Sequence, residues 1–304
     1  MNIRYLSICV AFFVGLLVTA TWANPGLFEQ SLQSNENKTL SQDKKNPIRR
    51  KASGQSSPFS FGNEVEFETS DGVVYVYINN RLSGPMQVQL SAGSGTRNME
   101  AQPALPVTYL LEPKQRKLVT RLQAIDAGAP MIRDLQSLGI PGDPHAIPED
   151  LAYSLPVDEN SRWELGQEFN GEYSHNDEQN RYAVDFVVPV GTPVLAARSG
   201  TVMETIGSYD RGGQNAKVYA SRANFIRILH DDGSMAMYAH LKENGVLVSP
   251  GERVGLGDVI GYSGNTGFSS GPHLHFVLQI NTGMRLVSIP FRMVGPQGIL
   301  PLSQ

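Results

Sequence analysis

Short runs that alternate apolar and polar residues, each cut off by glycine, proline or an Asn/Asp turn, constrain this chain more than any other feature. "EVEFET" (64–69), "VVYVYIN" (73–79), "PMQVQLS" (85–91), "PVTYLLE" (106–112) and "KLVTRLQAI" (117–125) follow period two, so that Met86, Val88 and Leu90 share one face. The same texture returns in "YAVDFVVPV" (182–190), "ANFIRILHDDGSMAMYAHL" (223–241) and "HLHFVLQI" (273–280), with "HDDGSM" as a tight hairpin signal. Helical periodicity is missing, and 30 glycines with 19 prolines supply the breaks. The fold class read from this is all-β: an N-terminal β-sandwich-like domain followed by a β-barrel-sandwich-type domain.

Composition shifts divide the chain. Residues 1–23, with Arg4 ahead of "YLSICVAFFVGLLVTA" and small residues at Thr21 and Ala23, read as a signal peptide, which places the mature protein in the periplasm or outside the cell; an uncleaved membrane anchor is the rival reading. The single cysteine, Cys9, falls inside this run and reads as an apolar signal residue, so the mature chain has neither a disulfide nor a thiol nucleophile. Residues 24–58 are rich in Ser, Asn, Gln and Lys and poor in large apolar side chains, and read as a disordered linker. Its basic cluster, Lys44, Lys45, Arg49, Arg50 and Lys51, could touch a membrane or an anionic polymer, or be simply solvated. The small β-sandwich is assigned to 59–126, a connecting segment with one short helix to 127–162, and the second β domain to 163–304. A net charge of −4 gives no reason to expect nucleic-acid binding, and no feature sets the oligomeric state.

Five side chains of the second domain carry chemistry. His273 and His275 lie two apart on a strand and project from the same face, while Leu274 points the other way. That suits a metal ligand with a second imidazole beside it, and equally two hydrogen-bonded strand histidines. Asp185 sits among Ala183, Val184, Phe186 and Val187, where a carboxylate needs a partner or a cation. His175 lies upstream of it, and His240 ends the strand that contains Tyr238. His145 and His230 are isolated from this set and read as structural. "GYSGN" (261–265) falls short of a nucleophile elbow because no helix follows it, so a serine hydrolase is rejected.

"H…D", "YAHL" and "GNTGFSSGPHLHF" together resemble the lysostaphin-type (LytM family) zinc metalloendopeptidases over about residues 163–290. The resemblance implies a peptidase domain at 163–304 with Zn2+ held by His175, Asp185 and His275, and with His240 and His273 as the catalytic pair lining the cleft. Two nitrogens and one oxygen leave a coordination position open, as catalytic rather than structural zinc requires. The implied chemistry is amide hydrolysis in peptidoglycan stems or crosslinks. His240 or His273 would take a proton from the attacking water while the other imidazole stabilises the oxyanion. Nine residues separate His175 from Asp185, more than is common in the family, so this ligand requires the intervening loop to fold back. Asp177 is the substitute if it does not.

Two further readings stay open. Some relatives are metal-free regulators of other wall hydrolases, and a protease acting on glycine-rich protein would use the same site. "TPVLAARSGTV" and "GERVGLGDVIGYSG" also look like the hairpins of lipoyl or biotinyl carriers, but the modified lysine is lacking, which leaves a likeness of architecture. The segment 207–224 is longer than a hairpin requires and is expected either to shape the binding cleft or to be a tolerated insertion.

Overall fold

A computed structural model describes residues 62–302. The expected signal peptide and basic linker, and the first residues of the expected β-sandwich, lie outside them. Seven strands make the N-terminal unit: β1 (Asn63–Ser70), β2 (Val73–Asn80), β3 (Met86–Ala92), β4 (Glu100–Gln102), β5 (Val107–Leu111), β6 (Arg116–Gln123) and β7 (Leu135–Pro141). They form two sheets, β1-β2-β6-β4 and β5-β3-β7. The alternating pattern explains the arrangement: Val74, Val76, Ile78 and Leu122 of one sheet and Met86, Val88, Leu90 and Leu111 of the other are all buried in one core.

The boundary expected at 126 moves. β7 pairs along the whole length of β3, Ala92 opposite Leu135 through Met86 opposite Pro141, so the N-terminal unit runs to Pro141. Gly139 and Pro141 disguise this strand in the sequence. No helix forms in the connecting segment. Its β8 (Ala152–Ser154) instead pairs in parallel with β22 (Arg292–Gly295) and belongs to the C-terminal unit.

The remaining strands are β9 (Glu164–Leu165), β10 (Ala183–Val187), β11 (Pro193–Leu195), β12 (Gly200–Ile206), β13 (Gly212–Gly213), β14 (Phe225–Leu229), β15 (Met235–Ala239), β16 (Leu241–Val246), β17 (Arg253–Val254), β18 (Val259–Ser263), β19 (Gly267–Phe268), β20 (Leu274–Asn281), β21 (Leu286–Ser288) and β23 (Gly298–Ile299). The main sheet runs β17-β12-β14-β15-β20-β10-β9, and β11-β18-β16 forms a smaller one beside it. The class is all-β; among the described residues the sheets do not close into a barrel. Phe186, Ile226, Tyr238, Leu274, Phe276 and Ile260 fill the core between the two sheets. One short helix, α1 (Ala216–Tyr219), interrupts the 207–224 segment.

The two units share a core. Met203, Met235 and Leu286 of the C-terminal unit are buried in the N-terminal cluster. Polar bonds reinforce the joint: Ser83 N–H donates to Met203 O (2.9 Å), and Asn281 Nδ2 donates to Gly142 O (3.0 Å). Met235 pairs with Gln279 at one end of β15, whereas Ala239 pairs with His275 at the other. The joint and the histidine cluster therefore lie at opposite ends of the same strands.

Candidate metal centre

Strand register assembles the site. Asp185 of β10 stands directly opposite His275 of β20, so the two side chains share a face of the sheet. His273 precedes β20 by one residue and projects on that same face, while Leu274 is buried in the core behind it. On the other flank of β20, Ala239 is the partner of His275. Continued alternation would turn His240 to the core side with Tyr238. His240 instead has φ +63°, in the left-handed region that a non-glycine residue rarely adopts, and its ring lies 4.5 Å from that of His273 and 5.8 Å from that of His275, centroid to centroid. Backbone strain at one residue thus brings a third imidazole to the site.

His175 arrives by the folding back of its loop. Asn170 N–H donates to Arg181 O (2.7 Å), closing the loop at its base. Its outer part is pinned to the β20–β21 hairpin: Gln279 Nε2 donates to Gln179 O (2.8 Å), Ser288 Oγ donates to Glu178 O (2.9 Å), and Arg285 pairs with Glu178. His175 is wholly buried, with Nε2 3.2 Å from Asp185 Oδ1. Asp177, the substitute ligand, uses its carboxylate to accept the backbone N–H groups of Gln179 and Asn180 and lies outside the cluster.

The ligand atoms of His175, Asp185 and His275 lie within 4.8 Å of one another. His275 Nδ1 is 2.9 Å from Asp185 Oδ1, and His273 Nε2 is 3.7 Å from the same oxygen. Burial alone would raise the Asp185 carboxyl, but hydrogen bonds from His175 and His275 overrule it and hold the group well below the usual carboxylate range. Burial pushes His275 down, against the opposing pull of Asp185. An ionised carboxylate with two imidazoles, collected in a buried spot, is the donor set that fits Zn2+.

Backbone carbonyls orient the rings. Glu168 O accepts from His175 Nδ1 (2.8 Å), Thr266 O from His240 Nδ1 (2.7 Å) and Gly271 O from His273 Nδ1 (2.8 Å). With Nδ1 committed as donor, a neutral ring at His240 or His273 keeps its lone pair on Nε2. Burial, together with the neighbouring His273 and His275, pushes His240 down to about 3. Thr266 is itself fixed, its hydroxyl donating to Leu241 O (2.7 Å) and accepting from Asn224 N–H (3.0 Å). Sequence reasoning passed over Glu168, Thr266 and Gly271 because a backbone carbonyl acts whatever side chain it carries. Tyr238 faces the core, where its hydroxyl accepts from Ala197 N–H. His145 is exposed, and His230 is buried at the opposite end of β14 from the site.

Residues 179–285 match peptidase family M23. The chain is 40% identical over 104 residues to the glycyl-glycine endopeptidase ALE-1 of Staphylococcus capitis, covering 34% of this chain and 25% of that protein. It is 33% identical over 126 residues to the peptidoglycan DD-endopeptidase ShyA of Vibrio cholerae, covering 40% and 26%. It is also similar to the solved catalytic domain of lysostaphin from Staphylococcus simulans, with 32% identity, 41% of this chain and 84% of that chain covered, and a TM-score of 0.31. The chain thus spans about a quarter of the length of the two curated relatives. The family match spans β10, β15 and β20, the strands that carry the site, and this part of the chain is a peptidase family M23 domain.

Proposed function

We propose that the protein is a secreted or periplasmic zinc endopeptidase that hydrolyses a peptide bond in the stems or crosslinks of peptidoglycan. One observation carries the reading: His175, Asp185 and His275 form a compact donor set, and two more imidazoles, His240 and His273, stand beside it with their Nε2 lone pairs uncommitted to carbonyls. A purely structural metal would not need the second pair.

His175, Asp185 and His275 would hold Zn2+. When bound, it supplies a Lewis acid for the scissile carbonyl and the attacking water. The protein supplies the proton path. His240, neutral and oriented by Thr266, and His273, oriented by Gly271, each present an Nε2 toward the site. One accepts the water proton; once protonated it becomes a donor, able to stabilise the developing oxyanion or to protonate the leaving amine. Both rings act from a sheet face whose reverse is packed core, which limits their movement.

The likeness to a peptidoglycan DD-endopeptidase and to a glycyl-glycine endopeptidase leaves two candidate bonds, of which we take the D-amino-acid crosslink as the one to test first. The test is digestion of purified, directly crosslinked and glycine-bridged walls, with the products identified by mass spectrometry. Cleavage of crosslinks that a chelator abolishes is expected. Cleavage confined to glycine-rich bridges would overturn the choice of bond, and a folded protein that takes up no zinc and cuts no wall would favour the regulator.

A further inference from the structure

We propose that Gln167 is a positioning residue that fixes the relative placement of two metal ligands, Asp185 and His175; the inference rests on the zinc reading above. Nine residues separate these ligands, so chain connectivity does not place them side by side. Something must tie the turn that carries His175 to the strand that carries Asp185.

Gln167 makes this tie with one side chain. Its backbone carbonyl accepts Asp185 N–H at 2.8 Å, which anchors it beside the Asp185 strand. From there Oε1 accepts Tyr173 N–H at 3.0 Å, and Nε2 donates to Ser174 Oγ at 2.8 Å, so both residues preceding His175 are held. Nε2 also reaches Asp185 Oδ2, at 3.5 Å. That contact occupies the oxygen that does not face the cluster, while Oδ1 is turned toward His175 and His275. The following residue, Glu168, accepts from His175 Nδ1 through its carbonyl. The dipeptide 167–168 therefore orients one carboxylate and one imidazole together, as outer partners of metal ligands do.

Gly171 gives independent support. A Cβ there would lie 2.1 Å from Gln167 Cγ and 2.5 Å from Cδ, so the turn crosses the Gln167 stem with no room for a side chain. Gly171 is not in the left-handed region, and the three atoms nearest that Cβ all belong to the Gln167 side chain.

The full chain, as wild type, Gln167→Ala and Gly171→Ala, would be compared in three ways: Zn2+ affinity by competition with a chromophoric chelator, the visible spectrum of the Co2+-substituted protein, and the thermal midpoint of the metal-free protein. Both variants should bind Zn2+ about 10–100-fold more weakly than wild type, with an altered Co2+ spectrum and an unchanged metal-free midpoint. Zn2+ affinity within twofold of wild type in both variants would overturn the inference. So would an affinity loss that appears only together with unfolding of the metal-free protein. If Gln167→Ala fails to fold, Gly171→Ala decides, since it removes no polar group. A folded wild-type chain that binds no Zn2+ would overturn the zinc reading, and this inference with it, whereas a zinc-binding wild type with indifferent variants overturns only the role of Gln167.

Discussion

Two histidines show how single residues carry conformational and ionic strain for the rest of the molecule. At His240 the left-handed backbone is imposed on a residue with a Cβ, at a cost of about 1–2 kcal/mol. His240→Gly and His240→Ala should both abolish turnover, but the glycine variant should be the more stable by about 1 kcal/mol in urea unfolding. Equal stabilities would mean that the position is unstrained. His230 is buried, donates Nδ1–H to Ser199 O at 2.8 Å, and leaves Nε2 without a partner, so the protonated form has no place in the fold. Burial pushes it down to about 4, below the 6.5 of an unfolded histidine. Above pH 6.5 the ring is neutral in both states and its burial carries no pH penalty. As pH falls from 6.5 toward 4 the unfolded chain takes up a proton that the native ring refuses, so stability is lost across that window. His230→Asn should flatten this part of the stability profile by about 3 kcal/mol relative to wild type. An unchanged acid slope would contradict the assignment.

Among the elements, the contact of β13 with β19 bears on the site most directly. Gly212 and Gly213 pair in parallel with Gly267 and Phe268, and a Cβ on Gly212 would lie 2.1 Å from Asn265 O. Asn265 adjoins Thr266, whose carbonyl orients His240. Gly212→Ala should therefore displace the His240 carbonyl anchor and lower turnover roughly 10–100-fold while leaving zinc content intact. Unchanged turnover would reduce the 207–224 segment to an insertion. The strands themselves were legible: period two marks β2, β3, β10, β14, β15 and β20 because one or both of their faces are buried. Less was legible where no side-chain pattern is involved. β7 is paired by backbone through a glycine and ends on a proline, and α1 is a single turn without a side-chain cap. Of the site, the residue types and the shared face of His273 and His275 could be read directly. The left-handed turn at His240 and the carbonyls holding the rings could not, because both are properties of the folded backbone.

At the scale of the whole molecule, the N-terminal unit is joined to the M23 domain by a common core rather than by a tether. Met203 and Met235 are fully buried, with Leu286 beside them, in a cluster whose other buried members all come from the N-terminal unit. Residues 62–302 should unfold in one calorimetric transition, and Met235→Ala should shift it by about 2–4 kcal/mol without dividing it in two. Two separate transitions would make the N-terminal unit an appended module. The joint lies at the end of β15 and β20 remote from His275, so the N-terminal unit braces the sheet without covering the histidines. The central claim, that three residues bind zinc while two others move the proton, is tested most directly by zinc stoichiometry in folded wild type, His275→Ala and His273→Ala. The account predicts about one zinc per chain in wild type, almost none in His275→Ala, and about one in His273→Ala, whose wall hydrolysis should fall by roughly 10²–10⁴-fold. Equal loss of zinc from both variants, or full hydrolysis by either, would contradict it.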